Sequence, residues 1–136
     1  MKNDRIARPA WLAAIVAAHL VVSIVHGAAH DGAHVPMSTA ANLFVFIVIL
    51  GGPLAGLALL FARAERFGSW LIAVTMAASL VFGLVNHFVL PSPDHVVEVA
   101  RQWQPLFAVT AVLLALTEAL GAGLAVRVAR GRRHAS

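Results

Sequence analysis

The stretch "VHGAAHDGAHVP", residues 25–36, places three histidines four residues apart in an otherwise apolar part of the chain. These are His26, His30 and His34, with Asp31 among them. Residues i and i+4 of a helix lie on one face, so His26 and His30 can offer two imidazoles to one metal ion. Imidazole is a ligand for zinc, copper and iron. The stretch therefore predicts a transition-metal site.

The composition indicates the environment of this site. The chain is 60% hydrophobic and 12% charged, whereas soluble domains carry roughly 25% charged residues. The apolar residues form continuous runs instead of alternating with polar ones, which favours helices over the strands of a membrane barrel. The sequence predicts an all-α integral membrane protein, with residues 1–136 forming a single four-helix transmembrane domain in contact with the lipid bilayer.

Four apolar runs reach the length of about 20 residues that a spanning helix needs. The predicted spans are about residues 9–30, 39–62, 69–90 and 105–127. Short connections between them favour antiparallel neighbours and an up-down bundle. Between the third and fourth spans, Ser92 as an N-cap followed by Pro93 predicts a short amphipathic helix on the membrane surface.

The basic residues predict the orientation of the bundle. They cluster before the first span, between the second and third, and after the fourth: Lys2, Arg5, Arg8, Arg63, Arg66, Arg127, Arg130, Arg132 and Arg133. The positive-inside rule then places both termini in the cytoplasm of a bacterial cell, with the chain a multi-pass protein of the inner (plasma) membrane. The first run is long enough to span and carries histidines, so we interpret it as a span and not as a signal peptide.

Counting helix rise from the cytoplasmic ends brings distant histidines to one level. At about 1.5 Å per residue, His30 and His87 lie about 28 and 27 Å above those ends, and His26 lies about one turn lower. Their similar height predicts a metal site at the periplasmic end of the bundle, made by His26, His30 and His87. The outer loops supply further candidate ligands: His34, Asp94, His95 and Glu98. Gly32 resembles a helix-ending glycine, so His34 is expected to approach from a loop.

A second polar level lies near the middle of the bilayer. His19 and Glu118 are each about 12–13 Å above the cytoplasmic ends of their spans. Ionisable side chains inside a membrane are costly, and each is by default a functional hypothesis. The pair is predicted to be buried, and two interpretations stay open: a structural hydrogen-bonded pair, or a proton relay or ligand site.

The second span contains "GGPLAG". Gly52 and Gly56 form a small-xxx-small pair that lets another helix approach closely. Pro53 has no N–H to offer the carbonyl of Ile49 and is expected to kink the helix. The motif either serves packing alone or directs this free carbonyl into a cavity.

Several function classes are excluded by what the sequence lacks. It contains no cysteine, which removes thiol redox chemistry and cysteine metal sites. Its net charge of +4 comes without the aromatic–basic interleaving of a nucleic-acid binder. No P-loop, nucleophile elbow or dinucleotide-binding turn occurs, and the sequence leaves open whether the protein is an enzyme.

Alternatives to a simple metal-binding protein remain at this point. One is a haem b electron carrier with His87 and either His26 or His30 as axial ligands. Another is a non-catalytic accessory subunit of a larger membrane complex, and a third is a proton-coupled transporter. The sequence also leaves open a homo-oligomer.

Overall fold

The computed structural model describes residues 2–131, with side chains described from Pro9 onward. Arg132 and Arg133, which contribute to the orientation argument, lie outside the described residues, as do the side chains of Lys2, Arg5 and Arg8. Across the described range the chain forms helices joined by turns, without a strand. The predicted all-α fold is confirmed.

Four long helices build the structure: α1 Lys2–Gly32, α2 Thr39–Phe61, α3 Glu65–Val89 and α4 Gln104–Arg130. Each is long and apolar enough to cross a membrane, α1 from Pro9 onward. Large apolar side chains are exposed on all four helices, such as Val21, Phe46, Val81 and Leu120. Exposed apolar surface on every helix fits contact with lipid, and the four helices support a multi-pass membrane protein.

The helices pack in the order α1, α4, α3, α2, and α1 hardly touches α2. Close packing of α2 on α3 depends on the two glycines of the small-xxx-small pair. A side chain at Gly52 would collide with Thr75, and one at Gly56 would collide with Ile72 and with the Gly68 carbonyl. The motif therefore serves helix packing, as its spacing indicates.

The two ends of the bundle are packed differently. At the end where α1 begins and α4 finishes, a buried core fills the interior; it includes Leu12, Val16, Leu60, Ile72, Met76 and Val128. At the opposite end, which we call the histidine end, the first half of α2 (Thr39–Phe44 and Val45–Gly51) contains no buried residue. The interior beside it is hollow.

Two helix segments are π-helical, and both lie beside the hollow part. One is Val45–Gly51 of α2, and the other is Val85–Val89 at the end of α3. In the second, the N–H of Leu90 donates to the Val85 carbonyl at 2.8 Å, five residues back. Such turns occur often at functional sites because they redirect side chains. This one carries His87.

The prediction of a short amphipathic helix between the third and fourth spans is wrong. The segment forms successive turns from the end of α3 to Gln104. The Ser92 hydroxyl caps no helix and has no hydrogen-bond partner. The N–H of Val96 donates to the His87 carbonyl, and Asp94 contacts His30 and His87. These contacts with the bundle replace the local hydrogen bonds that a helix would need.

Helix α1 ends at Gly32, as the sequence predicts, but the left-handed residue is His34, with φ of 54°. The N–H groups of His34 and Val35 donate to carbonyls of the last turn, which is the Schellman arrangement. Gly32 is needed for a different reason, because a side chain there would collide with the ring of Trp103.

Candidate metal centre

Three imidazoles meet at the histidine end: His26 and His30 from α1, and His87 from the π-helical turn of α3. Each offers a nitrogen atom, and these atoms lie within 4.8 Å of one another. His26 and His87 are each 6% exposed. A search of the described residues for three or more histidines and acids close enough to hold a metal ion finds this group.

The hydrogen bonds of His26 determine which of its nitrogens is free. Its Nδ1 lies 2.8 Å from the hydroxyl oxygen of Thr110. That hydroxyl also lies 2.7 Å from the Leu106 carbonyl, which can only accept, so the threonine proton goes there. Thr110 therefore accepts from Nδ1 of His26, and the Nε2 lone pair is left unshared.

The same reasoning applies to His87. Its Nδ1 lies 3.1 Å from the backbone carbonyl of Asp94, so Nδ1 carries the proton and donates it. The Nε2 of His87 then also has a free lone pair, and it lies 3.3 Å from Nε2 of His26. A hydrogen bond between these two atoms requires Thr110 to turn its proton away from Leu106.

An ion between the two Nε2 atoms accounts for their separation directly. Two imidazole nitrogens bound to tetrahedral zinc, each at about 2.0–2.1 Å, are held about 3.3 Å apart. Ligands at right angles, as in an octahedral site, would be about 2.9 Å apart at the same bond length. The 3.3 Å between these two atoms is therefore compatible with two ligands of one tetrahedral ion, and the three nitrogens of the full group lie within 4.8 Å of one another.

His30 completes the group with a nitrogen that lacks a partner. Its Nε2 lies 3.2 Å from Oδ1 of Asp94, while its Nδ1 is buried without a hydrogen bond. A buried polar atom left unpaired is costly, and an ion bound at Nδ1 would remove that cost. Oδ1 of Asp94 also lies 3.2 Å from Nδ1 of His87. One carboxylate oxygen thus lies against two of the imidazoles, although it accepts no hydrogen bond from either ring.

Phe107 forms the wall behind the imidazoles. It is fully buried, and its ring centroid lies 4.6, 4.8 and 5.2 Å from those of His26, His30 and His87. The ring restricts the rotation of all three side chains and leaves no room for a larger group on that side.

Sequence reasoning missed both Phe107 and Thr110, because only ionisable residues were counted by depth. The signal was nevertheless present. Thr110 lies about 25 Å above Arg127 at about 1.5 Å per residue, which is the level of the imidazoles. Depth counting that includes hydroxyl and aromatic side chains would have found the two residues.

The predicted loop ligands divide into two groups. Asp94 contacts the imidazoles, and the exposed His34 lines the mouth of the adjoining cavity. His95 and Glu98 do not join them. Nδ1 of His95 accepts from the N–H of Val97 at 3.4 Å, and the Glu98 side chain is exposed.

The inner polar pair is buried and depends on the proline of α2. The Nε2 of His19 donates to the Ile49 carbonyl at 3.2 Å, the carbonyl that Pro53 leaves without a helix partner. The other nitrogen of His19, Nδ1, has no hydrogen bond and lies 4.0 Å from Oε1 of Glu118. The motif therefore serves both packing and a polar contact.

A cavity of about 660 Å³ runs from the imidazoles to Glu118. Its volume is in the range of about 300–1,000 Å³ that small-molecule sites occupy. Its walls come from all four helices and are mostly apolar, as in Leu50, Phe82 and Leu114. His26, His30 and His87 all line it, so an ion bound to them would be accessible from the cavity.

Comparison of the chain with known protein families, with curated proteins and with solved structures found no match.

Proposed function

We propose that this protein binds one transition-metal ion through His26, His30 and His87 at the histidine end of its membrane-spanning bundle. One observation carries the proposal: each imidazole offers one nitrogen within 4.8 Å of those of the other two, while Nδ1 of His26 and Nδ1 of His87 are hydrogen-bonded to other groups. Nitrogen ligands suit zinc, copper, iron and nickel, and the 3.3 Å separation of two of them is compatible with zinc. Three protein ligands leave a fourth position for water or substrate.

The geometry supports a bare ion over haem b. Axial histidines bind on opposite faces of a porphyrin, which needs a wide planar space between them. Here the Nε2 atoms of His26 and His87 are 3.3 Å apart, and a third imidazole and the ring of Phe107 pack against both.

We further propose that the histidine end faces the periplasm of a bacterial inner membrane. The support is the distribution of basic residues: Arg63 and Arg66 lie between α2 and α3, and Arg127 and Arg130 lie at the end of α4. The two connections at the histidine end contain a single basic residue other than histidine, Arg101. In this orientation the ion is exchanged with the periplasmic side.

Metal analysis of the purified protein tests the proposal. After loading with Zn²⁺ and removal of unbound ion, we expect one zinc per chain, with affinity falling at least a hundredfold in His26→Ala and His87→Ala. His95→Ala is the matched control, because this histidine lies in the adjoining loop and touches none of the three. Equal retention by His87→Ala and the native chain would refute the site, and so would equal loss from His95→Ala. Tolerance of all three replacements would favour the accessory-subunit alternative.

A further inference from the structure

The cavity beside the metal centre opens sideways between two helices. Its rim includes Ile24 of α1 and Phe46 of α2, which are 69% and 66% exposed. Contacts between α1 and the first half of α2 are few, and the hydrogen bond from His19 to the Ile49 carbonyl crosses between them one to two turns below His26. Apolar side chains at the rim place this opening at the level of lipid chains, not only at the aqueous surface.

The chemistry of the cavity changes along its length. The imidazoles and Asp94 line one end, and Glu118 lines the other. The two levels are separated by about 10 Å, taken as the helix rise from His19 to His26 at about 1.5 Å per residue. The walls between them are mostly apolar, and the hydroxyls of Ser23 and Ser79, which also line the cavity, donate to carbonyls of their own helices. A molecule with one polar group and one narrow apolar chain matches the imidazole end and the walls, with its chain ending before the Glu118 carboxyl.

We propose that the cavity takes a single-chain lipid from the bilayer, with its oxygen-bearing head group on the metal ion and its apolar chain directed towards Glu118. The inference rests on the proposed metal site, because the ion's fourth position supplies the contact for the head group. The apolar chain of the lipid moves from the apolar bilayer to an apolar cavity, so its transfer contributes little to the binding free energy. Selectivity comes from the head group and from the shape of the opening.

Two glycines allow a controlled test of the opening. A side chain added at Gly27, which lines the cavity on α1, would meet nothing within 4 Å. Gly123 on α4 is equally open but lies away from the cavity. Replacing either glycine by leucine has the same effect on helix propensity. Only Gly27→Leu narrows the opening.

The probes are two hydroxamates with the same metal-binding head group, octanohydroxamate and acetohydroxamate. The protein is reconstituted in lipid nanodiscs and loaded with Co²⁺, whose visible absorption reports a change of ligand. We expect Gly27→Leu to weaken octanohydroxamate binding at least tenfold relative to the native chain, with acetohydroxamate binding unchanged. Gly123→Leu should leave the affinity for both hydroxamates unchanged. The probes partition into the lipid of the nanodisc to the same extent with every variant, so partition does not affect the comparison.

The outcomes separate this inference from the metal site. If Co²⁺ binds and Gly27→Leu affects both hydroxamates equally, or neither, the lipid inference is overturned while the metal site stands. If no Co²⁺ binds, both fail. If native mass spectrometry shows a dimer that Gly27→Leu dissociates, a second copy of the chain occupies the opening and the lipid inference is also overturned.

Discussion

At the scale of single residues, the metal centre depends on which nitrogen of each imidazole is already engaged. Thr110 and the Asp94 carbonyl hold the Nδ1 atoms of His26 and His87, and the Asp94 carboxylate contacts Nε2 of His30. The two hydrogen bonds orient the rings of His26 and His87 so that their Nε2 atoms lie 3.3 Å apart. Groups that orient metal-bound histidines in this way typically contribute about 10–100-fold to metal affinity.

Thr110→Val tests this orientation. Valine has nearly the shape of threonine but cannot accept the proton of His26 Nδ1, so we expect zinc affinity to fall about 10–100-fold while the ligands remain. Titration of the purified variant with a competing chelator measures the affinity. Thr117→Val is the control: Thr117 is on the same helix and also donates to the carbonyls of its own preceding turn, but it is only half-buried and has no hydrogen bond to a histidine. An equal loss of zinc affinity in the two variants would contradict the role of Thr110 in orienting His26.

At the scale of the elements, irregular helix geometry places polar groups in the interior. His87 lies in one π-helical segment, and the Ile49 carbonyl, four residues before Pro53, lies in the other and accepts from His19. Each irregularity redirects one polar group towards the centre of the bundle.

Pro53→Ala tests the link between the proline and His19. Alanine restores the backbone N–H, which would compete with His19 for the Ile49 carbonyl. We expect the ¹⁵N resonance of His19 Nε2 to move away from its hydrogen-bonded value, while the resonances of His26, His30 and His87 stay in place. A spectrum in which His19 is unaffected would show that the carbonyl is not held available by the proline.

Gly56→Ala tests the packing of α2 on α3. The added methyl group would collide with Ile72 and with the Gly68 carbonyl, and backbone atoms move only at a cost. We expect the free energy of unfolding, measured by detergent titration, to fall by about 1–3 kcal/mol. Gly123→Ala, where the methyl group meets open space, should be neutral or stabilising. A neutral Gly56→Ala would mean that the two helices are not in close contact.

The sequence predicted some features of the site because they follow from position along a regular helix. Hydropathy located four helices, and depth counting related His87 to His26 and His30. The turns around Asp94 were not predictable from local signals, because contacts with His30 and His87 override a good helix start at Ser92. Gly32 was located correctly as the end of α1, but its contact with Trp103 depends on tertiary packing.

At the scale of the whole molecule, one end is a solid apolar core and the other holds a cavity and a polar site. The solid end fixes the relative positions of α1, α3 and α4. At the histidine end a smaller buried cluster of Ala29, Val99 and Phe107 packs together, and its Phe107 ring contacts the imidazoles of α1 and α3 from one side.

Cysteine labelling tests the proposed orientation, since the native chain contains no cysteine. Glu98→Cys is at the histidine end, and Ala62→Cys is in the connection between α2 and α3; both positions are exposed. A membrane-impermeant maleimide added to cells with a permeabilised outer membrane should label Glu98→Cys, and should label Ala62→Cys only after the inner membrane is disrupted. The reverse pattern would place the metal site in the cytoplasm.

X-ray absorption at the zinc edge tests the central claim most directly. For the zinc-loaded protein in lipid, we predict four nitrogen or oxygen ligands at about 2.0–2.1 Å, with the outer-shell scattering of three imidazole rings. In His87→Ala that imidazole scattering should decrease by one ring. A zinc spectrum without imidazole scattering, or one that is identical in the native chain and in His87→Ala, would contradict the three-histidine site.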